Sequence, residues 1–287
     1  MSEQVDKIER SRGSCQLFWD APKWQGRATL AIGGFVCDTE HAGAELLDEA
    51  CARANARGIK AVIGPMDGDT WHSYRLVTES DGTPTFPLEP TSGVHDLAAF
   101  EAGGFEPISQ YISARAPIAD TIGAQAPPVD GLTIEPWDGR DADRLIEQLF
   151  QMSAAAFARN PFFKPISRAD FVALYRPVIP LIDPSLVLFA RDDSGTIAGF
   201  LFAFKDQTSD ERRVIIKTYA SRVRGCGRWL LDTAHRRAAA DGCSEAIHAL
   251  MHADNSSLDR STRSGGRVFR RYALMGRWLE APEKAGS

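Results

Sequence analysis

The stretch that decides the fold is residues 213–242, which read RVIIKTYASRVRGCGRWLLDTAHRRAAADG. The run from Arg213 to Ala220 is rich in apolar and β-branched side chains, which predicts a strand. From residue 228 to 241 the apolar side chains recur at helix spacing, and Gly242 stands where a helix C-cap is expected. The short segment 222–227 therefore connects a strand to a helix.

This connection contains two glycines, Gly225 and Gly227. Glycine has no Cβ, so a ligand can approach the backbone closely. The first N–H groups of the following helix have no partner in the helix, and with the helix dipole they attract anions. Arg224 and Arg228 would add charge-assisted bonds, so the segment is suited to a pyrophosphate. A tight structural turn is the simpler alternative, whereas a dinucleotide loop needs a third glycine where Leu230 stands.

The flanking sequence alternates strand and helix patterns, which predicts a mixed α/β layer domain. Proline breaks the helical pattern at 160–165, and Ser167 is placed to cap the helix that follows. Asp192 to Gly195 has the composition of a hairpin turn. The predicted strands are 132–136, 186–191, 197–204, 246–251 and 268–279, and the predicted helices are 141–158 and 168–175.

The N-terminal part repeats some of this order, with strands at 27–37 and 60–63, a helix at 44–57 and a closing segment at 100–111. This is a weak signal of an internal repeat. The corresponding connection, Glu40 to Ala44, has no pair of glycines. A stretch rich in Pro, Ala and Gly separates the two parts. The predicted organisation is a domain at 1–118, a linker at 119–131 and a domain at 132–287.

Composition excludes several classes of protein. The net charge is −5 and the pI about 5.7, so the whole molecule is not expected to bind nucleic acid. The arginines between 260 and 277 either serve a polyanionic ligand or form a solvated face. No run approaches the ~18 apolar residues of a membrane helix. Five scattered cysteines predict reduced thiols in a cytoplasmic protein rather than disulfides or a zinc site.

On these residues the C-terminal half resembles the GNAT superfamily of acyltransferases. The family pattern after its fourth strand is Gln or Arg, two residues, Gly, one residue, then Gly or Ala, which Arg222, Gly225 and Gly227 match. The resemblance implies an α/β GNAT fold at 132–287, preceded by a smaller, partial GNAT-like domain. It also implies acetyl-CoA or another acyl-CoA as co-substrate and no metal.

The resemblance assigns the coenzyme A site residue by residue. The backbone around Val223 to Arg228 would cradle the pyrophosphate, Asn255 would contact the pantetheine, and the bulged strand next to Tyr219 would position the thioester. The implied cofactor residues are Tyr219, Ala220, Arg222, Val223, Arg224, Gly225, Cys226, Gly227, Arg228 and Asn255. The N-terminal domain lacks the loop, so it would have lost coenzyme A binding and would shape the acceptor pocket.

The catalytic residues depart from the family pattern. Many members carry a tyrosine shortly after the asparagine as the acid that reprotonates the thiolate, and residues 259–263 contain none. Tyr272 and Tyr219 are the available substitutes, or else half-buried core tyrosines. His252 and Asp254, at the end of the predicted fifth strand, are candidates for the general base. A surface or hydrogen-bonded histidine is the alternative for His252.

Four aromatic residues are candidates for the acceptor site. Phe162 and Phe163 fall where the family places its acceptor-binding loop, unless they pack on the core. Trp71 and Tyr74 lie in a loop rich in aromatic and polar residues, which either binds a ligand or seals the two domains together.

The sequence thus predicts an acyl-CoA-dependent N-acyltransferase that acetylates a small-molecule or peptide amine. A homodimer is compatible with this class, and no membrane or nucleic-acid partner is expected. A non-catalytic acyl-CoA sensor or scaffold on the same fold is the second hypothesis, because the tyrosine is missing. Nucleic-acid binding through the arginine-rich tail is the third, and it would be strongly salt-dependent.

Overall fold

The computed structural model describes residues 5–123, 125–208, 212–254 and 265–280. The first half of the chain forms β1 (Val5–Arg10), β2 (Gly13–Phe18), β3 (Leu30–Cys37), α1 (Glu40–Ala56), β4 (Ala61–Gly64), β5 (Leu76–Ser80), α2 (Asp96–Ala102) and β6 (Glu106–Pro117). The second half forms α3 (Ile118–Thr121), β7 (Leu132–Pro136), α4 (Ala142–Phe157), α5 (Arg168–Tyr175), two 3₁₀ turns (Arg176–Leu181 and Pro184–Leu186), β8 (Val187–Asp192), β9 (Ile197–Lys205), β10 (Arg213–Ser221), α6 (Cys226–Ala240), β11 (Glu245–His252) and β12 (Arg267–Trp278).

The strands of the described residues join in one mixed sheet, in the order β1-β2-β3-β4-β12-β6-β11-β10-β9-β8-β7, with β5 beside β12. Apart from β7 and β5, the order is symmetric about the β12–β6 pair: β4, β3, β2 and β1 on one side correspond to β11, β10, β9 and β8 on the other. Each side contains one parallel pair joined by a helix, β3–α1–β4 and β10–α6–β11. The mixed α/β class and the repeat predicted from the sequence are thereby confirmed.

The two halves exchange their closing strands. β6, the last strand of the first half, pairs antiparallel with β11 of the second half. β12, the last strand of the chain, pairs antiparallel with β4 of the first half and also with β6. A boundary near residue 118 therefore divides the chain but not the sheet, and the division into two domains stays a prediction.

Helices cover the sheet and enclose its core. α1 buries Leu46, Leu47 and Ala50 against the strands of the first half. α6 buries Leu230 and Ala234 against β8, β9 and β10. On another part of the sheet α4 and α5 pack on phenylalanines of β8 and β9, and this third cluster contains residues from both halves.

Several element boundaries differ from those predicted. α1 begins at Glu40, four residues early, because Thr39 Oγ accepts the Ala42 N–H at 3.2 Å and so caps the helix. α6 begins at Cys226 rather than at residue 228. The hairpin β1–β2 was not predicted, since β1 is an edge strand with one fully buried side chain, Ile8, and shows no apolar alternation. Among the described residues no helix is both long and apolar enough to span a membrane.

Candidate functional site

The strands β10 and β11 separate in the middle of the sheet. They pair in parallel only from Arg213 opposite Glu245 to Ile216 opposite His248. In the β9–β10 pair the register shifts at Lys217, which has no partner residue on β9. Such β-bulges bend a strand and increase its twist. Beyond Ile216 the facing edges of β10 and β11 therefore form a cleft.

The opposite wall of this cleft is bent by a second bulge. The register between β11 and β6 shifts between His248 and Met251. Within the bulge Leu250 has a φ of 57°, in the left-handed region that non-glycine residues rarely adopt. Its N–H donates to Ser113 Oγ at 3.1 Å, and its carbonyl accepts from Arg75 Nη1 at 3.4 Å. These two contacts satisfy backbone groups that the bulge removes from the ladder.

The glycine-containing connection lies directly after β10, at the end of the cleft. Gly225 is the N-cap residue of α6, with a φ of 87° and no side-chain cap. Among the described residues the N–H groups of Val223, Arg224 and Gly225 have no hydrogen-bond partner. Three arginines, at 222, 224 and 228, are exposed around them. Free N–H groups at a helix N-terminus, surrounded by cations, form an anion site.

Cys226 and Gly227 attach this connection to the core. Both are buried. The thiol of Cys226 belongs to the core cluster between α6 and the sheet, and burial raises its pKa. A Cβ on Gly199 of β9 would lie 2.9 Å from the Cys226 Sγ, so the contact is close. Cys226 can therefore contribute to an anion site only through its backbone.

The equivalent place in the first half is closed. Asp67 Oδ1 accepts the Gly34 N–H at 2.8 Å, which places the carboxylate beside the middle of β3. A Cβ on Gly33 would lie 2.2 Å from that same oxygen. The helix that follows, α1, is capped by Thr39 and has Glu40 in its first turn. Chain atoms and acidic residues thus occupy the position that is open and basic in the second half.

A buried polar network connects the closing strands to the cleft. The Glu89 carboxylate accepts hydrogen bonds from Arg270 Nη1 at 2.5 Å, from the Phe86 N–H at 3.1 Å and from the Tyr272 hydroxyl. The Tyr272 oxygen lies 3.0 Å from Ser113 Oγ, which accepts the Leu250 N–H. Because Tyr272 donates its proton to Glu89, Ser113 donates to Tyr272. Burial and the Glu89 carboxylate raise the pKa of Tyr272 above its usual value.

Two cations, Arg75 and Lys217, border the cleft. The Arg75 guanidinium is 3.9 Å from the ring centroids of both Tyr74 and Tyr111. Lys217 Nζ donates to the Leu88 carbonyl at 2.9 Å. Burial, and after it the charge of Arg75, lowers the pKa of the Lys217 ammonium to about 7. Both cations therefore face a region with an excess of positive charge.

His252 lines a cavity of about 410 Å³ at the end of β11, between the two halves of the molecule. Residues 107–110 of β6, Pro161 and residues 252–254 form its walls. His252 Nε2 is 3.1 Å from Ser109 Oγ, and its Nδ1 accepts the Asp254 N–H at 3.2 Å. In the neutral ring Nε2 therefore carries the proton, and the lone pair of Nδ1 accepts the hydrogen bond from the Asp254 N–H. The Asp254 carboxylate is exposed, 3.9 Å from His252 Nδ1.

The aromatic candidates for the acceptor site occupy different surroundings. Trp71 comes from the first half, donates from Nε1 to the Lys164 carbonyl at 2.8 Å and packs edge-on against Phe163 and Phe171. It seals the two halves together. Phe162 packs on a small core cluster of the first half, whereas Tyr74 contacts Arg75 and Tyr111 next to the cleft. Their role in binding an acceptor stays a prediction.

The remaining predicted residues lie on β10 or outside the described part of the chain. Tyr219 and Ala220 follow Lys217 on β10, with Tyr219 packed on the α6 side and Ala220 on the opposite side. Asn255 and the segment 259–263 lie outside the described residues. Sequence analysis did not single out Lys217, although a lysine inside the apolar run VIIKTYA interrupts its pattern. Arg75 belongs to the loop that is rich in aromatic and polar residues, but the sequence assigned no role to Arg75 or to Glu89.

Comparison with solved structures identifies the fold. The chain superimposes on a tandem GNAT protein from the clavulanic acid biosynthesis pathway with a TM-score of 0.56 and 13% identity, over 98% of this chain and 85% of that one. For a GCN5-related N-acetyltransferase from Sphaerobacter thermophilus the TM-score is 0.55 and the identity 16%, over 94% and 77%. The protein therefore has the GNAT fold, as two GNAT-like halves in tandem.

One curated relative adds sequence similarity to this fold. The mycothiol acetyltransferase of Clavibacter michiganensis subsp. michiganensis (strain NCPPB 382) is 30% identical over 167 residues, which are 57% of this chain and 51% of that protein. The match thus spans about half the length of the curated relative. No family model matches the chain.

Proposed function

We propose that the protein is an acyl-CoA-dependent N-acyltransferase that transfers an acetyl group from acetyl-CoA to an amine. The observation that carries the proposal is the uncapped N-terminus of α6 at the end of the β10–β11 cleft. Three free N–H groups and three arginines fit the pyrophosphate of coenzyme A. In the first half Asp67 lies against the middle of β3 and Thr39 caps the helix that follows, which restricts the expected thioester site to the second half.

The cleft would hold the rest of the coenzyme. Past Ile216 the edge of β10 no longer pairs with β11, so backbone N–H and C=O groups are available to the amides of a pantetheine arm. The thioester, which supplies the carbonyl that the amine attacks, would then lie close to the bulge at Lys217. The cavity beside His252 opens at the neighbouring end of β11 and offers space for an acceptor. Holding both reactants in one cleft supplies much of the rate by proximity.

The test replaces Gly225 by valine and measures acetyl-CoA binding by calorimetry. A β-branched side chain strains a backbone at φ 87° and blocks the approach of a phosphate, so we expect affinity to fall by about tenfold or more. Gly58→Val is the matched control, because Gly58 has a φ of 76° with open space around it, just after the C-terminal end of α1 in the first half. Equal affinity of the Gly225 variant and the control would refute the loop assignment.

A binding-only role is the second candidate, and the state of the acid–base candidates favours it. The Tyr272 hydroxyl is buried and already donates to Glu89. The Nδ1 lone pair of His252 already accepts the Asp254 N–H. An acyl-CoA sensor would bind acetyl-CoA and release no thiol with any amine. An enzyme would release free coenzyme A when the acceptor is present, which a thiol-reactive dye detects.

A further inference from the structure

The buried cation Arg75 has no counter-ion in the described part of the chain. The side chain is 6% exposed, and its Nε is buried with no hydrogen-bond partner among the described residues. Its Nη1 donates a long hydrogen bond, 3.4 Å, to the Leu250 carbonyl. Buried guanidinium groups are normally paired with a carboxylate or another anion, because an unpaired buried charge is costly.

Stacking on aromatic rings compensates only part of that cost. The Arg75 guanidinium is 3.9 Å from the ring centroids of both Tyr74 and Tyr111, and such cation–π contacts do not neutralise its charge. The buried carboxylate Glu89 already accepts from Arg270, Tyr272 and the Phe86 N–H, and its charge also favours the charged form of Lys217. One carboxylate cannot balance the charges of Arg270, Arg75 and Lys217 together.

Lys217 adds a second positive group at the same place. It is half-buried on the β10 bulge, where its one hydrogen bond is to the Leu88 carbonyl, and among the described residues it forms no ion pair. Arg75 Nη1 contacts the Leu250 carbonyl on β11, and Lys217 follows Ile216, the last residue of β10 that pairs with β11, so the two cations border the same end of the cleft. An anion between them would compensate both, and it would restore the charged form of Lys217.

We propose that Arg75 and Lys217 together bind a carboxylate at the acyl end of the β10–β11 cleft. The proposal rests on the proposed function and defines its substrate class. The pyrophosphate is expected at the other end of β10, beside Gly225, so this second anion belongs to the reacting part of the site. It is carried either by the acyl group, as in a dicarboxylic monothioester, or by the acceptor, as in an amino acid.

The first arm of the test concerns the acyl group. Succinyl-CoA and butyryl-CoA have acyl chains of equal carbon number and differ by one terminal carboxylate. If the acyl group carries the anion, succinyl-CoA binds about tenfold more tightly than butyryl-CoA, as expected for a charge-assisted pair. Calorimetry on Arg75→Met and on Lys217→Met then shows this preference lost, while acetyl-CoA still binds.

The second arm concerns the acceptor. Free thiol release from acetyl-CoA is measured with each common L-amino acid and with its carboxamide. If the acceptor carries the anion, amino acids react at least about tenfold faster than their amides, and Arg75→Met removes the difference. Arg75→Lys keeps the charge and retains part of the preference. Arg115→Met is the control arginine, because it lies on β6 outside the cleft and pairs with Asp81.

The outcomes separate the two proposals. A carboxylate preference in either arm that disappears in the Arg75 and Lys217 variants supports the site and identifies which ligand carries the anion. Tight binding of acetyl-CoA with no preference in either arm refutes the carboxylate site and leaves the proposed function intact. If no thioester binds the wild type, the proposed function and the carboxylate site fall together.

Discussion

At the residue scale one network of buried polar side chains joins the two halves. Glu89, Arg270 and Tyr272 are 8%, 5% and 1% exposed, and each is bonded to at least one of the others. Ser113 extends this network to the backbone of Leu250 in the cleft wall. Removing one member leaves a buried polar group without its partner, which destabilises more than the bond itself contributes.

Replacing Tyr272 by phenylalanine tests whether this tyrosine is structural or the catalytic acid. We expect the free energy of unfolding to fall by about 1–3 kcal/mol, because Glu89 loses a donor and Ser113 loses its acceptor. Acetyl-CoA affinity should stay unchanged, since the hydroxyl is buried behind the cleft wall. Urea denaturation and calorimetry measure the two quantities. A large loss of kcat with unchanged stability would instead identify Tyr272 as the acid predicted from the sequence.

At the scale of elements the comparison of α1 with α6 explains why only one half is expected to bind coenzyme A. Both helices follow a strand and return to a parallel neighbour. α1 begins with a threonine cap and an acidic first turn, whereas α6 begins at an uncapped glycine with no acidic residue in its first turn. The dipole of α1 is therefore satisfied by its own chain, and that of α6 is available to a ligand.

Replacing Thr39 by alanine tests whether the N-terminus of α1 only stabilises the fold, in contrast to the N-terminus of α6, which is proposed to bind a ligand. The variant loses the hydrogen bond to the Ala42 N–H, which costs about 1 kcal/mol of stability. Acetyl-CoA affinity should be that of the wild type, because the first half contributes no phosphate site. Thermal unfolding with and without acetyl-CoA measures both effects. A variant that loses stability together with acetyl-CoA affinity would argue that α1 takes part in binding.

At the scale of the whole molecule the exchange of β6 and β12 joins the halves into one sheet. Neither half can keep its closing strand paired when the other unfolds, because β6 lies between two strands of the second half and β12 lies between two strands of the first half. Trp71 adds a side-chain contact by inserting among Phe163 and Phe171 of the second half. The two GNAT-like halves should therefore be one cooperative unit.

Equilibrium unfolding in urea should show a single transition. Trp24 stacks on Trp278 at 4.4 Å in the first half of the sheet, and Trp229 lies in α6, so fluorescence reports on both halves. We expect tryptophan fluorescence and far-UV circular dichroism to give the same midpoint. Comparing the wild type with Trp229→Phe and with Trp278→Phe shows which part of the fluorescence change comes from α6 and which from the first half of the sheet. Two separated midpoints would show that the halves unfold independently despite the exchanged strands.

Much of the second half could be predicted because its signals are local. Hydrophobic periodicity, the cap at Ser167, the hairpin turn at Asp192 and the connection with Gly225 each involve residues adjacent in the chain. The structure confirms these elements within a few residues. β1 escaped prediction because an edge strand is held by backbone pairing, which leaves little trace in its side chains.

By itself the sequence determined the α/β class, the position of the glycine-containing connection and the absence of such a connection from the first half, since each depends on neighbouring residues. Only the tertiary structure decided the exchange of β6 and β12, the contact of Asp67 with β3 and the placement of Arg75 and Lys217 at one cleft. Arg75 and Lys217 are far apart in the chain. Their proximity arises from strand order and from two β-bulges, and neither is specified by a local pattern of residues.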